Sequence, residues 1–162
     1  MYLLDYTTGR YLIVSAEAKH VMGLDACGFI EGGVQFMMAH YHPDHFRLFN
    51  NKIFDTRLTF LKAIPPEQHA NYIFTYNHRF RDAKGQYADY LQRNRFIKSD
   101  SDGNPLVSFG MINYNHFSIQ QQVVHTIEKM IASESGTYAE LVDKKPPNTA
   151  ALVSFALRKG II

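Results

Sequence analysis

Three consecutive strands between residues 72 and 115 constrain the fold of this chain more than any other segment. In the first, residues 72–81, aromatic residues stand at alternate positions, which places them on one face of a half-buried strand. These residues are Tyr72, Phe74, Tyr76 and Phe80. Residues 82–85 predict a hairpin turn with a positive φ at Gly85, and residues 87–98 and 106–115 predict two further strands. The run therefore predicts an antiparallel sheet.

The residues before this run predict a hairpin and several helices. Residues 1–6 and 10–14 read as two short strands around a turn, and residues 16–22 as a helix that Gly23 ends. A helical turn over 24–30 and a buried helix over 34–41 flank two glycines. A longer helix begins at Pro43 and ends at Pro65. Its residues on one i,i+3/i+4 track are Phe46, Phe49, Ile53, Arg57 and Phe60.

The C-terminal third allows two interpretations. Residues 122–131 and 137–145 can form a second β-hairpin, which the β-branched residues favour, although residues 127–130 are also compatible with a helix. Lys144 to Pro147 breaks any regular element. Asn148 is a good N-cap for a final helix over 149–159.

Composition excludes several classes of protein. The 162 residues suffice for one domain, or one domain with an appendage, and are 46% hydrophobic and 20% charged. The net charge of +2 is too small to indicate a nucleic-acid or membrane partner, and no apolar run approaches a membrane span. The first five residues do not resemble a signal peptide, so we expect a cytoplasmic protein. The single cysteine, Cys27, excludes an internal disulfide and a multi-cysteine zinc site.

Four segments resemble PAS domains, in the order in which that family carries them. Residues 4–9 (LDYTTG) and 11–15 (YLIVS) look like the opening strands of the family. Residues 42–44 match the HPDD segment at the start of its central helix, with His45 in place of the second Asp. Residues 76–81, 85–87 and 102–105 match the Y-R-R…G-Y…D-G-P spacing of its last three strands. The resemblance implies an α+β fold with a five-stranded antiparallel sheet and short helices on one face.

The end of the chain resembles a second family. Residues 148–161 (NTAALVSFALRKGI) look like the last helix of the helix-turn-helix output domain in bacterial LuxR-type transcriptional regulators. The recognition helix has no counterpart, so DNA binding by that route is not expected. Together the resemblances predict a PAS-like sensor domain over 1–116, a β-hairpin extension and linker over 117–147, and a remnant output helix over 148–162.

We expect no metal site and neither flavin nor heme, and any other cofactor is left open. His40, His42 and His45, with Asp44, are the densest group of possible metal ligands, but they straddle a turn and a helix start, so we expect structural roles. Cys27 lacks the context of the reactive cysteine in flavin-binding PAS sensors, and we interpret it as a buried thiol. His69 and His78 lie nearest to where a heme ligand would be needed, but their neighbours do not mark such a site.

The resemblance implies a non-enzymatic module of a transcriptional regulator, a homodimer that senses a small apolar ligand or a partner protein. No catalytic residue is expected, because the chain has no nucleophile elbow, phosphate loop or HExxH element. Alternation predicts the pocket-lining residues Phe74, Tyr76, Tyr90, Phe109 and Met111. Gly110 would let a ligand or helix approach the sheet closely. Two alternatives stay open: an intact DNA-binding LuxR-type transcription factor, and a small ligand carrier or enzyme on an α+β fold.

Overall fold

One antiparallel sheet organises the computed structural model, which describes residues 1–115, 123–133 and 136–143. Its strands in the described residues are β1 (Tyr2–Asp5), β2 (Arg10–Val14), β3 (Tyr72–Arg81), β4 (Tyr87–Ser99), β5 (Pro105–Tyr114), β6 (His125–Ser133) and β7 (Gly136–Asp143). The order across the sheet is β2-β1-β5-β4-β3-β6-β7, and each neighbouring pair is antiparallel. The first hairpin therefore lies beside β5, although about 90 residues separate them in sequence.

Short helices connect β2 to β3. They are α1 (Ala18–Met22), α2 (Ala26–His40), α3 (Pro43–Leu48) and α4 (Phe54–Lys62), with a π-helical turn over Phe49–Ile53 and a 3₁₀ helix over Pro66–Asn71. α3 begins at Pro43 because His42 caps it, accepting a hydrogen bond at Nδ1 from the Asp44 amide 3.3 Å away. α3, the π-helical turn and α4 follow one another without a break. No helix in the described residues is long and apolar enough to cross a membrane.

The structure confirms the α+β class and the three-strand run, and it corrects the size of the sheet. The strands predicted over 72–81, 87–98 and 106–115 match β3, β4 and β5 within one residue, and Gly85 has φ 79°. The sheet has seven strands and not five, because β6 pairs with the far edge of β3 and β7 pairs with β6. The ambiguous C-terminal segment is therefore a strand hairpin that continues the main sheet. The helix predicted over 149–159 lies outside the described residues.

Two groups of buried side chains lie along the inner face of the sheet. One, named here the packed cluster, consists of Leu61, Tyr72, Phe74, Phe96 and Ile127. Of these five, Tyr72 is 6% exposed and the others are fully buried. The second group surrounds a cavity, and it includes residues of β1, β2, α1, α2 and β3.

Candidate ligand-binding cavity

A cavity of about 350 Å³ separates the inner face of the sheet from the helices at the β1–β2 end. The helices contribute Met22, Phe29, Val34, Met37 and Phe46 to its wall. The strands contribute Tyr2, Leu4, Tyr11, Tyr76, Phe80 and Ile112. Its volume is in the range of small-molecule sites, and its mostly aromatic and aliphatic wall is typical of them.

Two departures from regular helix geometry shape the wall. α2 is interrupted at Gly33, where φ is 58° and ψ is −146°. A side chain could not be accommodated there, because a Cβ would lie 2.6 Å from the Gly9 carbonyl oxygen in the β1–β2 turn. The next residue, Val34, donates its amide to that same oxygen at 2.9 Å. The two halves of α2 therefore run in different directions and leave space above the strands.

The second departure is the π-helical turn between α3 and α4. It places Phe49 and Asn50 in the cavity wall, and Arg57 follows in α4. Wide helical turns of this kind are often found at functional sites. The turn is therefore an independent reason to examine the side chains nearby.

A chain of hydrogen bonds crosses the floor of the cavity. The Tyr76 hydroxyl donates to Gln92 Oε1 at 2.8 Å, so it must accept from the Tyr41 hydroxyl, which lies 2.5 Å away. Gln92 Nε2 in turn donates to the Tyr2 hydroxyl. Burial raises the pKa of Tyr2, Tyr41 and Tyr76, so all three hydroxyls are protonated at neutral pH. This chain is internally satisfied and fixes the orientation of its members.

Arg57 is the most unusual residue in the cavity wall, since it is a charged side chain that is only 1% exposed. Its Nε donates to His125 Nε2 at 3.2 Å, and its guanidinium carbon lies 4.6 Å from the centre of the Tyr76 ring. The rings of Phe74 and Phe49 lie at 5.5 and 5.6 Å. Burial lowers the pKa of Arg57, but a guanidinium starts from so high a value that it stays charged.

The charge of Arg57 has no counter-ion among the described residues. The ion pairs found there are Lys19–Asp25, Arg47–Asp44 and Arg93–Glu128, and none of them includes Arg57. Its buried Nη2 also lacks a hydrogen-bond partner among those residues. A buried charge without a partner destabilises a protein by several kcal/mol, and aromatic faces and a neutral histidine offset only part of that.

Two buried histidines beside Arg57 are held in the neutral form. Burial, with smaller contributions from the neighbouring His45 and Arg57 side chains, lowers the pKa of His78 to about 3. Burial and Arg57 lower the pKa of His125 to about 3 as well. His78 lines the cavity between the rings of Tyr41 and Tyr76, and its Nδ1 has no hydrogen-bond partner in the described part of the chain.

Of the five residues predicted to line a pocket, only Tyr76 is in the cavity wall. Phe74 points to the same face but belongs to the packed cluster, and Tyr90 is buried beyond the cavity wall. Phe109 and Met111 were assigned to the wrong face of β5. Ser108 and Gly110 are the buried positions, Ile112 lines the cavity, and Met111 is 47% exposed.

The physical reason lies in the register of β5. Gly110 is directly opposite Tyr2 on β1, and Ser108 is opposite Leu4, both of which are buried. The even-numbered positions of β5 therefore share the inner face with them. Gly110 does allow a close approach, as predicted, but to the ring of Tyr2 and not to a ligand or helix. A Cβ at Gly110 would lie 2.1 Å from Cζ of that ring.

The remaining candidates have structural contacts. His40 Nδ1 lies 2.8 Å from the Phe36 carbonyl oxygen, His42 caps α3, and His45 Nδ1 accepts from the Arg79 amide at 3.1 Å. Among the described residues no three His, Cys, Asp or Glu side chains are arranged to hold a metal. His69 contacts Ser99 and the carbonyl of Leu61. The interpretation of Cys27 as a buried thiol is wrong, because the residue is exposed on α2.

Arg57 is the important residue that sequence reasoning missed. Its position on the apolar track between Ile53 and Phe60 is visible in the sequence, and a charge on a core-facing track is the signal that could have identified it. The chain matches no model of a known protein family, and no curated protein is detectably similar to it.

Proposed function

We propose that this chain is a sensory module that binds a small molecule in the cavity between its sheet and its helices. The observation that carries the proposal is the cavity itself, about 350 Å³ in volume and lined by both layers. The resemblance to PAS domains supports it, since the sequence order implied by that resemblance, a hairpin, then helices, then three antiparallel strands, is the order observed.

A ligand in this position can act on the fold because it touches elements that are otherwise separate. The wall includes residues from α1, the interrupted helix α2, the π-helical turn and the inner face of the sheet. A molecule that fits one arrangement of these elements better than another shifts the population toward it. The shift would change the surfaces offered to a second copy or to a downstream domain of a LuxR-type regulator. No chemical step is part of this role.

The test uses neighbouring positions on β5 that face opposite sides of the sheet. Ile112→Phe places a larger side chain in the cavity wall, whereas Met111→Phe makes a similar change at an exposed position. We expect an apolar probe such as indole to raise the melting temperature of the wild type and of Met111→Phe, and to have little effect on Ile112→Phe. Equal shifts in all three proteins would contradict binding in the cavity.

Homodimer formation is a second part of the proposal, and it comes from the family resemblance. Light scattering of the purified chain tests it directly: a mass near 18.6 kDa at all concentrations would exclude a dimer. The alternative of an intact DNA-binding protein depends on residues 148–162, which lie outside the described part of the chain. A gel-shift experiment with genomic fragments at low salt, showing no binding, would remove that alternative.

A further inference from the structure

The cavity wall contains a positive charge that the described protein does not neutralise. Arg57 is 1% exposed, and its Nη2 has no hydrogen-bond partner in the described residues. Its Nε contact, His125, is held in the neutral form by burial and by Arg57 and supplies no negative charge. The flanking rings of Tyr76, Phe74 and Phe49 hold the guanidinium in place without neutralising it.

A second unsatisfied group lies on the same wall. His78 is 2% exposed, is held between two tyrosine rings, and leaves Nδ1 without a partner in the part of the chain that is described. The hydrogen-bonded chain from Tyr41 through Tyr76 and Gln92 to Tyr2 is, in contrast, already satisfied. Among the described residues, the cavity therefore has satisfied polar groups along its floor and two atoms without a hydrogen-bond partner, Arg57 Nη2 and His78 Nδ1.

We propose that the natural ligand is an organic monoanion, a carboxylate with an apolar body, whose charged group pairs with Arg57 and whose body fills the aromatic part of the cavity. This inference rests on the proposed function of the same cavity and specifies its ligand class. A guanidinium is well suited to a carboxylate, because its N–H groups match the two carboxylate oxygens. The neutral ring of His78 can donate one more hydrogen bond to the carboxylate in the tautomer that carries the proton on Nδ1.

The size and charge of the wall limit the ligand further. An engineered apolar cavity of about 150 Å³ holds benzene, so a cavity of about 350 Å³ has room for a body of one ring or two with a short chain. Among the side chains of the described lining residues, Arg57 is the strong cation, and the lining carboxylate, Glu17, is exposed. One buried positive charge favours a ligand with a single negative charge over a dianion.

The experiment compares probes of equal shape and different charge on the purified chain. 3-Phenylpropionate is the anion, 3-phenylpropanamide is its neutral isostere, and 3-phenylpropylamine is the cation. We expect calorimetry to show that the anion binds at least about tenfold more tightly than the amide, since charge-assisted hydrogen bonds are the stronger kind. The amine is expected not to bind.

Arg57→Met then tests the residue, with Arg47→Met as the matched control. Arg47 carries the same charge on the surface, where it pairs with Asp44, and is not in the cavity wall. Arg57→Met is expected to remove the preference for the anion over the amide, and Arg47→Met to retain it. If Arg57→Met fails to fold, the comparison of the three probes on the wild type still shows whether the cavity prefers an anion.

The outcomes separate this inference from the proposed function. Equal affinities for the anion and the amide, both lost in Ile112→Phe, would overturn the anion inference and leave the cavity function intact. Anion binding that is unchanged in Arg57→Met would also overturn it. Failure of every probe to bind, with no small molecule retained in native mass spectrometry, would contradict the proposed function and this inference together.

Discussion

The packed cluster and the cavity share one sheet face but differ in how tightly it is covered. Phe74 and Tyr76 stand two residues apart on β3 and point the same way, yet Phe74 is fully enclosed and Tyr76 borders the cavity. Regular elements cover Phe74, with Leu61 of α4 above it and Ile127 of β6 beside it. An interrupted helix and a π-helical turn cover the cavity. Strand alternation thus sets which residues face inward, while helix geometry decides whether the space is filled.

Arg57 lies where the two regions meet. Its guanidinium carbon is 5.5 Å from the ring of Phe74 in the packed cluster and 4.6 Å from the ring of Tyr76 in the cavity wall. The packed side holds the side chain in place, and the other side borders the cavity in which we propose that the counter-ion binds. The described residues orient the charge at this boundary, and none of them neutralises it, which is an arrangement suited to a binding site.

Phe74→Ala should give the largest loss of stability. The side chain is fully buried and packs against Phe96, with ring centres 5.1 Å apart, so its removal leaves a void that costs about 3–5 kcal/mol of unfolding free energy. Phe46→Ala, at a half-buried position that already borders the cavity, should cost roughly half of that or less. Urea denaturation of both variants gives the comparison. Equal losses would mean that the two regions are packed alike.

Acidification should lower the free energy of unfolding through the buried histidines beside Arg57. His78 and His125 have pKa values of about 3 in the folded state against an ordinary value of 6.5, so the unfolded chain binds more protons below pH 6.5. Their contribution to stability is complete above pH 6.5 and is lost as the pH falls toward 3. Between pH 7 and pH 5, each should lower the free energy of unfolding by about 2 kcal/mol.

The measurement is denaturant unfolding at several pH values in this range, above most carboxylate titration. His78→Gln should remove the contribution of His78 and flatten the dependence. His20→Gln, at an exposed position of α1, is the matched control and should leave the profile unchanged. A wild-type profile that is flat from pH 7 to pH 5 would show that water reaches the two imidazoles.

Gly110→Ala should lower the free energy of unfolding by about 1–3 kcal/mol, because the added methyl group meets the ring of Tyr2 in the floor of the cavity. The ring cannot yield freely, since the Tyr2 hydroxyl accepts a hydrogen bond from Gln92. A double variant that also carries Tyr2→Ala should lose less than the sum of the single losses. Additive losses would show that Tyr2 is not what prevents a side chain at position 110.

Much of the fold could be predicted from local patterns, because each pattern has one local cause. Alternating aromatics define β3, Gly85 defines the turn after it, and Pro43 defines the start of α3. The C-terminal hairpin was one of the two predictions for its segment, but its pairing with the main sheet could not be predicted in this way. That continuation depends on pairing between β3 and β6, which about 50 residues separate, and neither strand specifies its partner.

The candidate site was harder to predict, for two different reasons. On β5 both Phe109 and Ile112 are apolar, so the alternation fits either face, and only the pairing of Gly110 with Tyr2 decides it. The cavity itself results from the interruption at Gly33 and the wide turn after Leu48, which have no periodic signal. Arg57 was visible on its apolar track, but its interest lies in having no carboxylate partner among the described residues, which is a property of the assembled structure.

The smallest expected change in stability comes from a substitution on α2. On this helix Phe29 is 3% exposed and lies in the cavity wall, whereas Cys27 is exposed to solvent. Cys27→Ser should therefore change the free energy of unfolding by less than about 0.5 kcal/mol. The native thiol should react fully with a small disulfide reagent in the absence of denaturant. A thiol that reacts only after unfolding would mean that α2 is rotated about its axis. Phe29 would then no longer face the cavity, so this measurement also tests the wall on which the proposed ligand depends.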